Sequence, residues 1–166
     1  AQFMLGKIYF EAKYIKLDID KSIHYFTLAS KNNNSDAQEI LGQIYFEGKI
    51  VKKDINKAIQ LYSKAANQNN QNAQYILGKI YLEGKYVERN ISIAIHYLTL
   101  AANKNHSIAQ QYLGTIYYEG KYVKRNITQA IHYLTLAADQ NDPKAQTNLG
   151  TIYFEGKYNK RDINKS

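Results

Sequence analysis

The sequence contains no cysteine, one proline and one methionine. Without cysteine there is no disulfide and no thiolate metal site, a composition that fits a reducing compartment such as the cytoplasm without requiring one. With one Pro and nine Gly among 166 residues, 45% of them apolar, the chain resembles neither collagen nor a disordered tail. It is expected to fold, to bury a substantial core and to be soluble. No apolar stretch approaches the ~18 residues that a membrane span needs, and the start shows no signal-peptide pattern.

Catalytic signatures are missing as well. There is no HExxH, P-loop, GxGxxG or nucleophile elbow, and no polar trio recurs outside the repeat described below. His24, His96 and His132 occupy one column of that repeat. Packed helices stand roughly 8–10 Å apart whereas two nitrogens on one zinc are ~3 Å apart, so the column makes no metal site by itself. The expectation is a protein that is not an enzyme and takes no cofactor or metal.

What the chain does have is one nine-residue phrase written five times. LGKIYFEAK begins at Leu5, LGQIYFEGK at Leu41, LGKIYLEGK at Leu77, LGTIYYEGK at Leu113 and LGTIYFEGK at Leu149, a constant spacing of 36 residues. A fixed period of 20–50 residues marks a solenoid or array. Counting from the Ala-Gln pair gives units at 1–36, 37–72, 73–108 and 109–144 and a partial fifth at 145–166. The chain reads as a single repeat array and as part of a longer one.

Each unit predicts two helices. Over Ser35 to Glu47, Ala37, Leu41, Ile44 and Tyr45 recur at helical spacing, the stripe of an amphipathic helix A. Asn34, Asn70, His106 and Asp142 stand where its N-cap falls, with Pro143 well suited to a first helical position. After Gly48 and a short loop, Ile55, Ala58, Ile59, Tyr62, Ala65 and Ala66 mark helix B over about 55–67. Its N-cap column is Asp18, Asp54, Asn90, Asn126 and Asp162. Helix B is expected to close at Asn33, Asn69, Asn105 and Asn141, because Asn tolerates the left-handed conformation. Gly6, Gly42, Gly78, Gly114 and Gly150 lie inside helix A, where Gly costs roughly 1 kcal/mol relative to Ala. A close helix approach is the simplest reason for them. Neither stripe can be buried alone, so the repeats must stack.

The pattern A-x-x-x-L-G-x-x-Y-x-x-G…V-x-x-D-x-x-K-A-x-x-x-Y-x-x-A-A, legible from Ala37 to Ala66, resembles the Sel-1-like repeats, relatives of the tetratricopeptide repeats, and it covers essentially the whole chain. Two columns depart from the family pattern. A second loop Gly is replaced by Tyr14, Ile50, Tyr86, Tyr122 and Tyr158, and a turn Gly by the Asn column. The resemblance implies an all-α fold, a right-handed α-solenoid of stacked antiparallel helix pairs, acting as a scaffold or adaptor for proteins or peptides. A cysteine-rich bacterial subgroup is linked to β-lactam binding, but its paired cysteines are absent here.

In tetratricopeptide-like arrays the face of helix A opposite Leu41, Ile44 and Tyr45 lines a concave groove. Carried to this sequence, the partner-binding candidates on that face are Phe10; Gln43, Phe46 and Glu47; Tyr75, Lys79, Leu82 and Glu83; Gln111, Thr115, Tyr118 and Glu119; and Phe154. The column Phe10, Phe46, Leu82, Tyr118 and Phe154 can either anchor apolar side chains of a peptide or pack successive A helices together. The Glu column can accept hydrogen bonds from a ligand or pair with neighbours such as Lys49 and Lys85. The varying positions 3, 39, 75, 111 and 147, with 7, 43, 79, 115 and 151, are where specificity can be written.

A net charge of +8 raises a second reading, polyanion or RNA binding along a loop rim that contains Lys52, Lys53, Lys85, Arg89, Lys124 and Arg125. Acids share those segments, and the favoured reading is a solvated, mildly basic edge. Tyr14, Tyr86, Tyr122 and Tyr158 stand beside these cations, where a ring can stack on a base or on a guanidinium. Packing within the loop is the expectation for them.

Overall fold

A computed structural model describes the backbone of residues 1–11 and 19–163, and side chains over 1–7 and 19–156. The described residues form helices and connections, with no strand. In chain order the helices are α1 (Gln2–Glu11), α2 (Ile19–Lys31), α3 (Ser35–Glu47), α4 (Ile55–Asn67), α5 (Gln71–Glu83), α6 (Ile91–Ala102), α7 (Ser107–Glu119), α8 (Ile127–Ala138) and α9 (Pro143–Ile163). Odd-numbered helices are A helices and even-numbered ones are B helices. Each B helix packs against its own A helix and then against the A helix of the next unit. The result is the expected right-handed α-solenoid. No described helix is long and apolar enough to cross a membrane.

Helix ends follow the chemistry of the cap columns. Asn34 and Asn70 accept the N–H of Ala37 and Ala73 at 2.8 and 2.9 Å, and His106 Nδ1 accepts that of Ala109 at 3.2 Å. Asp54, Asn90 and Asn126 do the same for the B helices at 2.9–3.0 Å. Between repeats, Asn33, Asn69, Asn105 and Asn141 sit at φ 57, 67, 60 and 64°, so Asn performs the turn that the family assigns to Gly. The N-cap candidates Asp18 and Asp162 and the loop residues Tyr14 and Tyr158 lie outside the described residues or side chains.

The core forms where an A helix meets the B helices on either side of it. Ala37, Leu41 and Ile44 pack with Phe26 and Ala29 of α2, and Ala73, Leu77 and Ile80 pack with Tyr62, Ala65 and Ala66 of α4. Gly6, Gly42, Gly78 and Gly114 admit the ring or branched side chain of their own B helix. A Cβ on Gly42 would stand 2.8 Å from the Tyr62 ring, and one on Gly78 2.7 Å from Leu98. Tyr45, assigned by spacing to the core stripe, and its equivalents Tyr81 and Tyr117 are only partly buried. They reach the margin of the core and lie against helix B, with Tyr81 and Tyr117 stacked on Tyr97 and Tyr133 at 6.4 and 6.1 Å.

The fifth unit departs from the second, third and fourth. Gly48, Gly84 and Gly120 end their helices at φ 64–68°, each loop being held by the cap residue's N–H on a tyrosine carbonyl, as Asp54 on Tyr45 at 3.0 Å. In α9 the helix continues through the matching Gly156 to Ile163, and a Cβ on Gly150 or Gly156 would meet nothing within 4 Å. No B helix of that unit packs on α9 among the described residues. The glycine preference alone, worth about 1 kcal/mol, does not stop the helix without the loop contacts that use it.

Candidate functional site

The A helices place their remaining faces side by side. Between α3 and α5 these faces enclose a groove of ≈ 510 Å³, closed at one end by the start of α7. From α3 it takes Glu39, Gln43, Phe46 and Glu47, and from α5 Tyr75, Lys79 and Glu83, with His106 and Ile108 at the closed end. Its lining runs from Glu39 to Glu47 on α3 and from Asn72 to Glu83 on α5, roughly 12–16 Å at 1.5 Å per residue. A smaller, apolar hollow of ≈ 290 Å³ between α1 and α3 shares Gln43 and Glu47 with it and is floored by Phe26, Ile40 and Ile44.

The structure thus gathers Gln43, Phe46, Glu47, Tyr75, Lys79 and Glu83 into one concavity. It places the other candidates elsewhere. Leu82 packs against the core between α6 and α7, and Tyr118 against the one between α8 and α9. Gln111 is 8% exposed and donates to Thr115 at 2.8 Å, both lining a shallow hollow against α9. Glu119 is exposed, Phe154 is 63% exposed, and the side chain of Phe10 lies outside the described residues.

At Phe46 the packing role of the aromatic column is present. Phe46 borders the groove while its ring edge contacts Tyr62 at 6.4 Å and Tyr86 of the next repeat at 5.2 Å. Phe46 thus packs on the following repeat and stays partly exposed on the groove side.

The carboxylates differ in their partners. Glu47 accepts from Lys49 at 2.9 Å and from Gln43 at 2.9 Å, contacts that hold its pKa below the usual value. Glu83 pairs with Lys79 at 3.7 Å rather than with Lys85, whose ammonium lies 5.3 Å from the Tyr86 ring. Glu39 is raised by burial and by nearby Asp36. Tyr75 stacks on His106 at 4.8 Å, and burial together with Tyr112 pushes its phenol up to about 12. Burial lowers the pKa of His106.

The loop tyrosines pack locally. Lys53 lies 5.3 Å from the Tyr86 ring and 5.7 Å from Phe46, while Arg89 lies 5.6 Å from Tyr122. Arg125 covers Tyr118 at 5.2 Å and donates to its carbonyl at 3.0 Å. Several rim cations are therefore engaged in joining one repeat to the next.

Sequence reasoning left His106 as a helix cap and did not bring it into the groove. The available signal was its column, where the other units carry Asn34, Asn70 and Asp142. Ile76, which the spacing did not single out, also lines the concavity.

Comparison with known proteins gives a consistent picture of this architecture. The model of the Sel1 repeat matches residues 1–34, 35–70, 71–106, 107–142 and 143–166, the same period phased two residues earlier. The chain is similar to an Escherichia coli protective antigen of uropathogenic strains with an SLR fold, at 30% identity and TM-score 0.89 over 93% of this chain and 33% of that one. It is also similar to a Sel1 repeat protein from Oxalobacter formigenes, at 32% identity and TM-score 0.86 over 93% and 63%. Helicobacter pylori cysteine rich protein B superposes at 27% identity and TM-score 0.61 over 82% and 98%. The chain thus spans a third and just under two thirds of the first two relatives. A search of curated protein sequences gave no match.

Proposed function

The chain belongs to the Sel1 repeat family, and from that premise we propose that it is a non-catalytic scaffold holding a peptide or protein segment across the concave A-helix face. Sel1 repeat proteins generally mediate protein–protein interaction. The observation that carries the choice of face is the groove between α3 and α5, which presents Phe46 and Tyr75 beside Gln43, Lys79 and Glu83 without any of them being sealed into the core. Apolar and aromatic walls with a few polar groups suit a short segment whose side chains enter one by one. The groove's length of roughly 12–16 Å corresponds to about four or five extended residues.

The test uses a photo-crosslinking residue introduced singly at Gln43 and Lys79 in the groove, and at His96 and His132 on exposed positions of α6 and α8. Both pairs lie at positions where a new side chain leaves the core intact. Adducts with a cellular protein from the groove positions but not from the B-helix positions are expected. Equal adducts from both, or adducts from the B helices alone, would remove the groove as the binding face.

A further inference from the structure

Three carboxylates line the groove between α3 and α5, and two of them are neutralised in place. Glu47 is held by Lys49 at 2.9 Å and Glu83 by Lys79 at 3.7 Å. Glu39 has no ion pair or hydrogen bond among the described residues. It is partly withdrawn from water, and Asp36 one turn earlier adds a like charge rather than a counter-ion. Nearby stand aromatic groups. Tyr62 is close enough for the Glu39 charge to act on its phenol, and Tyr75 occupies the same column as Glu39 one repeat on, facing the same groove.

We propose that this groove receives a protein segment presenting an arginine or lysine side chain, whose cation meets the Glu39 carboxylate while its aliphatic stem lies against Phe46 and Tyr75. The inference rests on the binding face proposed above and specifies the chemistry of its occupant. A half-buried carboxylate without a partner gains most from a charged donor, because a charge-assisted hydrogen bond is roughly twice as strong as a neutral one. An apolar occupant would strip water from Glu39 and return nothing, and an acidic one would add repulsion from Glu39 and Asp36. The groove's own cations do not serve in its place. Lys79 is held on Glu83, and Lys85 lies by the Tyr86 ring. Arginine fits better than lysine, since its planar guanidinium can pair in two-point fashion with the carboxylate and stack on a tyrosine ring. The choice is notable in a chain of net charge +8, which would select acidic partners if total charge decided the matter.

An array of immobilised decapeptides tests this, built on a fixed Ala/Leu/Ser background with Arg, Lys, citrulline, Leu or Glu at a central position. It is probed with the 166-residue chain and with the variants Glu39→Gln, Glu39→Arg and Gln43→Trp, each checked for native helicity. The wild type is expected to retain Arg peptides at least about tenfold better than their citrulline isosteres. Glu39→Gln should lose that preference, Glu39→Arg should transfer it to Glu peptides, and Gln43→Trp, which crowds the groove, should weaken all peptides. If the wild type retains peptides without regard to the central residue and Gln43→Trp still weakens them, the cation proposal is wrong and the groove reading stands. If Arg selection persists in Glu39→Gln, the cation is read elsewhere and the proposal fails. If no peptide is retained, or Gln43→Trp changes nothing, both readings fall.

Discussion

Gln68 donates its side-chain amide to Gln38 Oε1 at 2.7 Å, tying the end of α4 to the start of its own A helix. The same bond recurs from Gln140 to Gln110 at 2.7 Å and from Asn32 to Gln2 at 2.9 Å. Gln38, Gln74 and Gln110 also reach backward, donating to the Ser30, Ala66 and Ala102 carbonyls at 3.0–3.2 Å. Buried Gln38 and Gln110 thus each join three helix ends. In the third unit the donor column holds Lys104, which gives its ammonium to the Asn69 carbonyl at 2.7 Å and leaves Gln74 Oε1 buried without a partner.

Lys104→Gln should therefore stabilise the array. An amide at that position completes the bond that Gln68 and Gln140 make, relieving an unsatisfied acceptor whose cost is about 1–3 kcal/mol, against the loss of an exposed bond to Asn69. The expected net gain is about 1 kcal/mol, read as a higher urea midpoint at unchanged slope. Gln68→Ala should move the midpoint the other way by a similar amount. A Lys104→Gln variant no more stable than wild type would show that water already satisfies Gln74.

Two glycines in the same column should respond with opposite signs. At Gly78 an added methyl would lie 2.7 Å from Leu98 and 3.1 Å from the Ala94 carbonyl, so Gly78→Ala is expected to destabilise by about 1–3 kcal/mol despite its better helix propensity. At Gly150 the methyl meets nothing within 4 Å, and Gly150→Ala should stabilise by about 0.5–1 kcal/mol. Denaturant unfolding of the two variants decides the matter.

His106 makes stability depend on pH. Its Nδ1 accepts the Ala109 N–H, which requires an unprotonated nitrogen there, and burial beneath Tyr75 lowers its pKa from the ordinary 6.5. The unfolded chain then binds the proton more readily than the folded one. Its contribution is fully present above about pH 6.5 and is lost as pH falls through the lower folded value. His106→Asn, which restores the cap of the second and third units, should flatten the stability profile between pH 7 and 5 in urea titrations. An unchanged profile would assign that dependence to other groups.

Lys53 should act as a structural residue more than as a nucleic-acid contact. Its ammonium lies near Phe46 and Tyr86, and its backbone and Cβ crowd Gly48, where an added Cβ would be 2.9 Å from the Lys53 Cα. Lys53→Ala is expected to cost about 0.5–1 kcal/mol through the lost cation–π contacts. A fluorescent single-stranded RNA should show weak binding with little change between wild type and Lys53→Ala. Tight binding with a steep salt dependence that this change abolishes would instead favour the basic rim as a binding surface.

The local rules were legible because they act within a few residues. Asn34, Asn70, Asp54 and Asn126 cap the helices their spacing assigns, and Asn69 and its equivalents take positive φ because their side chains tolerate it. A 36-residue period with small residues inside both helices implied stacking before any contact was known. The glutamine column was also visible, as the second letter of each Ala-Gln pair, but spacing alone assigns no partner to an amide.

By itself, then, the sequence determined the helix pairs, their caps, their period and the stripes that had to be buried, since each follows from backbone geometry and side-chain polarity near in the chain. Tertiary structure alone decided which of the remaining side chains stay accessible. Gln111 and Gln43 occupy related helix faces, yet one is covered by α9 and bonded to Thr115 while the other is exposed. Glu47 and Glu83 find lysines two and four residues away in the chain, so those pairs are local, whereas the partial burial of Glu39 is decided by packing. The same holds for Gly156, which continues a helix where Gly48 ends one, because the loop that makes a glycine a stop signal packs on Gly48 and not on Gly156. The cover over Gln111 comes from a helix that begins at Pro143 in the next unit, where the 36-residue pattern is the same for every copy and carries no information about which neighbour is present.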